Sequence, residues 1–346
     1  MNEHLLSIFE SIKRDRPQSK NDRVLIIDSL NTFIRIFTTV PTLSDNGVPV
    51  GGIIGFLRSV GSNIREFNAT RCILVFDGKG GSQRRKKIYP EYKSGRTNKC
   101  KPKRIEGLEL TVDEEDQSRI FQMRRLMDYL DCLPLQIICI DQVEADDVIA
   151  HCCTCFDDKT KIRIVSTDRD FLQLVSNNIE VYSPIKKKLY TPETLQEEFS
   201  FHPDNYLAYR VFTGDTSDNI PGIDGLGLKT FMKIFKPLLD NHVSEFQEYI
   251  DFCKHTPKPN KKKIHESVIS NAEIIERNYK LMQLSDVDIS SNTKITINNK
   301  IHSNIPYINK LKFKHLVVED YLESAFKNFD RWLYSTFNGL TVWATP

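Results

Sequence analysis

Residues 135–150 read LQIICIDQVEADDVIA, an apolar run followed by a cluster of carboxylates that opens a second apolar pattern. The first half is typical of a buried strand, and the second half of a helix beginning near Val143. Glu144 and Asp147 share a helix face, and acidic side chains are favourable at a helix N-terminus. Carboxylates held together also repel one another unless a cation joins them. Because hard oxygen ligands suit Mg²⁺ or Mn²⁺, the stretch predicts one side of a metal site.

The same strand pattern occurs three more times, and each time an acid ends or closely follows it. These segments read VLIID at 24–28, CILVFD at 72–77 and KIRIVS at 161–166, the last leading into TDRD at 167–170. Helical patterns alternate with the strands, which predicts an α/β fold with a doubly wound, mostly parallel sheet and flanking helices. Ligands collect at the carboxyl ends of the strands in such a sheet. The acids predicted to meet there are Asp28, Asp77, Glu144, Asp146, Asp147, Asp168 and Asp170.

Composition excludes several other classes of protein. The 346 residues carry a net charge of only +2, so affinity for nucleic acid has to come from local patches. No apolar run is long enough for a membrane span, and the first residues lack the pattern of a secretory signal. The eight cysteines do not form a disulfide framework in a chain of this length, which favours a reducing, cytoplasmic setting. His151 and Cys155 have no second ligand pair to complete a zinc site, so we interpret them as part of a helix.

A second acidic segment lies in TGDTSDNIPG at 213–222, where Asp215 and Asp218 are three residues apart. It runs into IDGLGLKT at 223–230, followed by an apolar helical pattern. A glycine-rich hairpin between two helices exposes backbone N–H groups that can hold a phosphate. The segment therefore predicts a helix-hairpin-helix element that binds the DNA backbone. Its predicted contact residues are Gly222, Gly225, Gly227, Lys229 and Thr230.

The segment from Lys79 to Arg104 contains eleven Lys or Arg residues and a single acid, Glu91. A charge run of this kind is usually a solvated surface. This one directly follows Asp77, where cationic side chains can neutralise phosphates and aromatic side chains can stack on unpaired bases. The predicted DNA contacts are Arg84, Arg85, Lys86, Lys87, Tyr89 and Tyr92.

These motifs, in this order, resemble the flap endonuclease or structure-specific 5′ nuclease family over about residues 22–240. That family includes the 5′→3′ exonuclease domain of bacterial DNA polymerase I and stand-alone bacteriophage enzymes. The motifs that carry the resemblance are the strand-end acids, FDG at 76–78, EADD at 144–147, TDRD at 167–170, GDTSDNIPG at 214–222 and YPEYKSGR at 89–96.

The resemblance implies a helical arch and a helix-three-turn-helix element in addition to the sheet. It assigns contacts with the scissile phosphate to Lys93 and Arg96 in the arch. It also implies that the segment 222–230 binds duplex backbone with the help of a K⁺ ion. The expected organisation is an N-terminal extension at 1–21, a nuclease core at 22–200 with a basic arch at about 79–110, and a helical part at 201–346 with the helix-three-turn-helix at about 218–236.

The expected activity is metal-dependent 5′→3′ exonuclease and 5′-flap endonuclease cleavage of DNA with a flap, a nick or a free 5′ end. RNA primers of RNA–DNA hybrids and replication proteins are further expected partners, and we expect a monomer in the cytoplasm. The absence of a polymerase domain favours the bacteriophage type, which would work in the host cytoplasm.

The expected mechanism uses two Mg²⁺ ions about 4 Å apart, for which Mn²⁺ can substitute. One ion is assigned to Asp28, Asp77, Glu144 and Asp146, and the other or its waters to Asp147, Asp168, Asp170, Asp215 and Asp218. Lys93 and Arg96 would stabilise charge on the phosphate in the transition state.

Three other functions stay open at this point. A single-strand ribonuclease of a related small-nuclease fold would use similar acids but would not need the element at 221–230. A non-catalytic DNA-binding protein would have no use for the clustered acids, which repel DNA in the absence of metal. A phosphatase-like metal enzyme would not need the basic segment.

Overall fold

The computed structural model describes residues 17–95, 108–240, 245–257 and 262–345. A six-stranded sheet in the order β3-β2-β1-β4-β5-β6 forms its centre. All neighbouring strands are parallel except β5 and β6, which are antiparallel. The strands are β1 (Arg23–Asp28), β2 (Arg71–Asp77), β3 (Gln136–Ile140), β4 (Lys161–Val165), β5 (Ile179–Ser183) and β6 (Lys188–Tyr190), and a separate hairpin pairs β7 (Gly214–Asp215) with β8 (Ile220–Pro221).

Helices connect the strands and continue beyond the sheet. The α-helices of the described residues are α1 (Ser29–Thr39), α2 (Gly51–Phe67), α3 (Gln83–Ile88), α4 (Val112–Leu130), α5 (Ala145–Thr154), α6 (Pro192–Phe199), α7 (Tyr206–Thr213), α8 (Leu228–Leu239), α9 (Phe246–His255), α10 (Lys263–Ser270), α11 (Ala272–Met282), α12 (Ser291–His302), α13 (Lys310–Glu319) and α14 (Phe329–Thr341).

Both faces of the sheet are covered, which is why its central strands are apolar throughout rather than alternating. Val24 and Ile26 of β1 point into one hydrophobic cluster, which α5 to α12 cover. Leu25 and Ile27 point into the other, which α1, α2, α4, α13 and α14 cover. Each such buried side chain contributes roughly 1.5–3 kcal/mol relative to exposure. The predicted doubly wound, mostly parallel α/β fold is confirmed.

The helices after residue 200 do not form a separate core. The cluster that contains β1 and β4 continues without a break into Phe212, Phe231 and Tyr249 of the helical part. On the opposite face, Tyr129 of α4 donates a hydrogen bond to the Leu316 carbonyl oxygen at 2.9 Å. The predicted boundary near residue 200 therefore divides the motifs but not the hydrophobic core. None of the helices in the described part of the chain has the length and apolar character that crossing a bilayer requires.

Candidate active site at the carboxyl edge of the sheet

Asp28 is the last residue of β1 and lies at the centre of the carboxyl edge. Its buried carboxylate caps α1 by accepting a hydrogen bond from the Asn31 amide, and it also accepts one from the Ser166 hydroxyl at 2.7 Å. Ser166 directly follows β4, and its oxygen accepts a hydrogen bond from the Asp168 amide at 3.0 Å. One serine thus links the acid of β1 to the acidic loop after β4, as the parallel pairing of these strands requires.

Asp77 ends β2 and reaches the start of α5, where its Oδ1 accepts a hydrogen bond from the Ala145 amide at 3.0 Å. The next residue, Gly78, allows the chain to pass close to the end of β3, because a Cβ there would lie 2.2 Å from the Ile140 carbonyl oxygen. The predicted helix in EADD begins at Ala145, with Glu144 as its N-cap. The segments at the ends of β1, β2, β3 and β4 therefore meet, as predicted.

Electrostatic effects couple several of these acids. Burial, together with the charges of Asp168 and Asp77, raises the pKa of Asp28 to about 7. Burial and the charges of Asp168, Asp28 and Glu144 also raise the pKa of Asp146, although Lys93 opposes the shift. The neighbouring carboxylates thus destabilise the ionised forms of Asp28 and Asp146, which is the situation that a bound cation relieves.

Asp147 has a different environment from Asp146. Its side chain is 2% exposed and accepts hydrogen bonds from both Nη atoms of Arg85 at 2.8 Å, and from Arg84 at 3.2 and 3.3 Å. These contacts argue against the prediction that Asp147 is a metal ligand, since both of its carboxylate oxygens already face guanidinium groups. They also count against Arg85 as a DNA contact, because its side chain is 3% exposed.

Glu144 lies between the same arginine and the predicted catalytic lysine. Its Oε2 accepts hydrogen bonds from Arg85 Nη1 at 2.8 Å and from the Tyr92 hydroxyl at 3.0 Å. Its Oε1 accepts one from Lys93 Nζ at 3.1 Å. Tyr92 is buried against Ile220 and the end of α11, so in this structure it supports the site and has no surface on which a base could stack.

Lys93 is held in place by its backbone as well as by its side chain. It has a φ of 55°, in the left-handed region that residues other than glycine rarely adopt, and its N–H donates to the Asp218 carbonyl oxygen at 2.9 Å. Its Nζ lies 3.9 Å from Asp218 Oδ2 and 4.9 Å from the centre of the Tyr92 ring. The base of the predicted arch therefore docks on the hairpin of β7 and β8. Arg96 lies outside the described residues.

Arg210, near the end of α7, joins two more of the predicted ligands. Its Nη2 donates to Asp170 Oδ1 at 2.8 Å and also contacts Asp215 Oδ2. Burial and the charge of Asp168 raise the pKa of Asp170 to about 7, with Arg210 opposing the shift. Burial would raise the pKa of Asp215, but hydrogen bonds from Ser217 and the charge of Arg210 outweigh it and hold that pKa below its usual range.

The acids consequently fall into two sets. Within the described ranges, no Lys or Arg forms an ion pair with the first set, which we name the unpaired acids. The second set, the ion-paired acids, has such a contact in every case. The unpaired acids are Asp28, Asp77, Asp146 and Asp168, and the ion-paired acids are Glu144, Asp147, Asp170, Asp215 and Asp218.

The hairpin beside the acids depends on two glycines. A Cβ on Gly222 would lie 2.1 Å from the Thr213 carbonyl oxygen, and one on Gly214 would lie 2.4 Å from the Gly222 nitrogen. The chain then reaches α8, which begins at Leu228 after two exposed glycines, Gly225 and Gly227. Lys229 is exposed and Thr230 half-buried, so the turn between the hairpin of β7 and β8 and the start of α8 faces solvent, where the sequence predicts DNA contacts.

The predicted DNA contacts of the basic segment are also divided. Lys86 and Lys87 are exposed on α3. Tyr89 is half-buried under the guanidinium of Arg277, which lies 4.2 Å from its ring centre. Of the six predicted contacts, Lys86 and Lys87 are therefore the most accessible to a nucleic acid, while the Arg84 side chain is 24% exposed.

The donor set fits divalent ions in its chemistry, because every candidate ligand is a carboxylate and the unpaired acids perturb one another electrostatically. As the side chains stand, no three His, Cys, Asp or Glu residues in the described ranges form a ready-made metal-binding group. Binding would therefore have to draw the carboxylates of neighbouring loops together. The cysteines of the rejected zinc site have other roles, with Cys152 and Cys153 in the core and Cys155 donating to Asn298 at 2.8 Å.

Comparison with known proteins places this architecture in a family. The model of the 5′–3′ exonuclease N-terminal, resolvase-like domain matches residues 23–200. A 5′–3′ exonuclease of Aquifex aeolicus is 31% identical over 312 residues, which cover 88% of this chain and 94% of that protein. A thermostable DNA polymerase I of Thermus aquaticus is 33% identical over 216 residues, which cover 62% of this chain and 24% of that protein.

A solved structure shares the fold at lower identity. The flap endonuclease D15 of bacteriophage T5, in a pseudo-enzyme-product complex with DNA and metal ions, superposes with a TM-score of 0.61 at 19% identity. The match covers 86% of this chain and 99% of that one. The protein is thus an enzyme of the nuclease class. It belongs to the 5′–3′ exonuclease family.

Sequence reasoning missed two residues of the site. Ser166 gave a weak signal, as a hydroxyl at a strand end next to TDRD. Arg210 gave none, because a basic residue near a helix C-terminus is common and favourable in its own right. Only the return of α7 toward the loop after β4 shows that Arg210 joins two distant acids.

Proposed function

We propose that this chain is a divalent-metal-dependent 5′→3′ exonuclease and 5′-flap endonuclease that hydrolyses phosphodiester bonds of branched or nicked DNA. The observation that carries the proposal is the meeting of the unpaired acids at one sheet edge, with Lys93 fixed beside them by Glu144 and Asp218. A carboxylate cluster suits metal binding, and an adjacent lysine suits a phosphate. A non-catalytic DNA-binding protein does not explain both features together.

The unpaired acids would hold the first ion, with the Lys93-facing oxygen of Glu144 beside it. This moves Asp168 from the second ion, to which the sequence assigned it, because its charge acts on Asp28 and Asp146. Asp170, Asp215 and Asp218 would hold a second ion or its waters. Bound ions supply Lewis-acid stabilisation of the phosphate and lower the pKa of an attacking water. Asp147 falls outside this ligand set and neutralises Arg84 and Arg85 instead.

The remaining roles follow from exposure and charge. Lys93 stabilises negative charge that develops on the scissile phosphate, and Arg96 is proposed for the same role on the strength of the motif alone. Lys86, Lys87 and Lys229 supply cations to the DNA backbone, and the turn at 222–227 supplies N–H groups, with K⁺ as the proposed ion there.

Finer features of the proposal rest on the resemblance and on relatives. They are Mg²⁺ as the ion, with Mn²⁺ as a substitute, RNA–DNA hybrids as a second substrate, replication proteins as partners, and a monomer in the cytoplasm of a bacterium or of a phage-infected host. The two-ion assignment belongs with them.

The test is cleavage mapping on a 5′-labelled flap duplex with Mg²⁺, compared with the same duplex without the flap and with single-stranded RNA. We expect a product cut at the flap junction that disappears when EDTA removes the metal. Cleavage of the RNA in preference to the flap would support the ribonuclease alternative instead, and tight DNA binding without any cleavage would support a binding protein.

A further inference from the structure

Arg210 lies where the chain brings its second group of acids together. Its guanidinium contacts Asp170 through Nε at 3.2 Å and Nη2 at 2.8 Å, and the same Nη2 contacts Asp215. Its Nη1 donates to the Gly214 carbonyl oxygen at 3.2 Å. The side chain is 12% exposed, so these contacts are largely shielded from water. Hydrogen bonds between charged groups in such a setting are among the stronger ones in proteins.

The acid on each side of Arg210 is itself fixed by neighbouring groups. Asp215 Oδ1 accepts hydrogen bonds from the Ser217 amide at 2.7 Å and from its hydroxyl at 2.6 Å. The Asp170 amide donates to Asp168 Oδ1 at 2.8 Å, so the guanidinium stands next to the unpaired acids without pairing with Asp168 in the described structure. An ion entering between Asp170 and Asp215 would have to compete with a cation that is already there.

We propose that Arg210 is a competing cation, which satisfies Asp170 and Asp215 and lowers the affinity of this half of the acidic site for a second divalent ion. The inference rests on the proposed function, because it concerns how the metal site fills. The two halves are then unequal before DNA binds. The half formed by the unpaired acids takes up an ion readily, and the half at Arg210 takes one only after the guanidinium gives up its contacts.

Charge alone makes this inequality large enough to measure. Charges a few ångströms apart in a partly buried site interact much more strongly than the same charges in bulk water. We therefore expect the guanidinium to lower the affinity of the second site for an ion by roughly tenfold, which corresponds to about 1.4 kcal/mol. The effect should be confined to the second ion, because no ion pair links Arg210 to the unpaired acids in the described residues.

The test counts Mn²⁺ bound to the DNA-free protein by electron paramagnetic resonance and calorimetry. We expect the wild type to bind one ion tightly and a second more weakly. Arg210→Gln should tighten the second site by roughly tenfold and leave the first within about twofold. Arg210→Lys, which keeps the charge but loses the planar fork, should tighten it by about threefold or less.

The matched control is Arg169→Gln, which removes an exposed positive charge from the loop after β4, between Asp168 and Asp170. This variant should change the Mn²⁺ affinity of either site by no more than about twofold, because solvent screens exposed charges. Two equal sites in the wild type would overturn the inference, and so would an unchanged or weakened second site in folded Arg210→Gln. If Arg210→Gln did not fold, the Lys variant would decide, and a second site weaker than that of the wild type would overturn the inference.

Failure of the proposed function would look different. A wild-type protein that bound no Mn²⁺, or that bound it without cleaving the flap duplex, would reject the metal-dependent nuclease itself. A wild-type protein that cleaved normally, with a second site indifferent to Arg210, would reject only the competing cation.

Discussion

The unpaired and the ion-paired acids lie side by side at the same sheet edge but are stabilised by different means. Glu144 and Asp147 face Arg85 in the interior, and Asp170 and Asp215 face Arg210. Asp28 and Asp146 have no such ion pair within the described ranges, and burial with mutual repulsion raises the pKa of each. The protein supplies its own cations, Arg85, Lys93 and Arg210, to the ion-paired acids. It leaves the others unneutralised, in the place where an external cation would act.

The largest effect that should separate the two sets is on turnover. Asp168→Asn removes one charge from the unpaired acids and should reduce kcat about a thousandfold, because ligands of a catalytic ion contribute several kcal/mol to transition-state stabilisation. DNA affinity, measured by fluorescence anisotropy in Ca²⁺, should stay within about threefold. Near-normal cleavage by this variant would remove Asp168 from the catalytic set.

The free energy of unfolding should depend more on the ion-paired acids than on the unpaired acids. Asp147→Asn leaves the buried Arg85 without its main partner and should lower the free energy of unfolding by about 3 kcal/mol in urea titrations. The exposed pair of Lys236 and Asp240 provides the control, since Asp240→Asn should cost less than about 0.5 kcal/mol.

Cleavage by the same Asp147 variant tests its exclusion from the ligand set. Assayed at a temperature where the variant is folded, it should retain a kcat within about tenfold of the wild type. A loss as large as that of Asp168→Asn, with little change in stability, would return Asp147 to the metal ligands.

Added metal should stabilise the protein through the unpaired acids. At a Mg²⁺ concentration 100 times the dissociation constant, the free energy of unfolding should rise by about 2.7 kcal/mol. The increment should persist in Asp147→Asn and shrink below about 1 kcal/mol in Asp168→Asn. Thermal unfolding with and without EDTA measures both, and equal increments in the two variants would contradict the division.

The smallest expected effect concerns pH in the metal-free protein. The pKa of Asp28 is about 7 when folded and near 3.9 when unfolded, so the folded state binds more protons in between. This contribution to stability is present below pH 4 and is lost as the pH rises to 7. Between pH 5 and pH 8, the free energy of unfolding of Asp28→Asn should therefore rise relative to that of the wild type by roughly 1–2 kcal/mol. Full linkage, at 1.36 kcal/mol for each unit of the pKa difference, would give a larger rise.

Urea titrations at the two pH values measure this difference. A constant offset between Asp28→Asn and the wild type at both pH values would mean that Asp28 is ionised throughout.

Much of the fold was predictable because each signal was local. An apolar run such as VLIID can be buried on both faces only inside a covered sheet, and alternation with helices makes that sheet parallel. The acids at its ends could be located for the same reason, since parallel strands present their carboxyl ends at one edge.

What could not be predicted is how the side chains are paired. Arg84 and Arg85 belong to a run of basic residues that looks uniform in the sequence, yet Arg85 is buried against Glu144 and Asp147 while Lys86 and Lys87 are exposed. The helical period places Arg85 on a different face of α3 from Lys86 and Lys87. Which of these faces is buried depends on α5 and α11, which pack on it from distant parts of the chain.

The sequence by itself determined the parallel sheet, the edge at which the acids gather and the family to which the chain belongs, because strand periodicity and motif order are properties of neighbouring residues. Only the tertiary structure decided which of those acids are neutralised by the protein. That division depends on Arg85 and Arg210. Arg85 pairs with Glu144 and Asp147, which are 59 and 62 residues away in the chain. Arg210 pairs with Asp170, 40 residues away, and with Asp215, 5 residues away. Charge pairing acts through space, so it emerges only when the fold has set the distances.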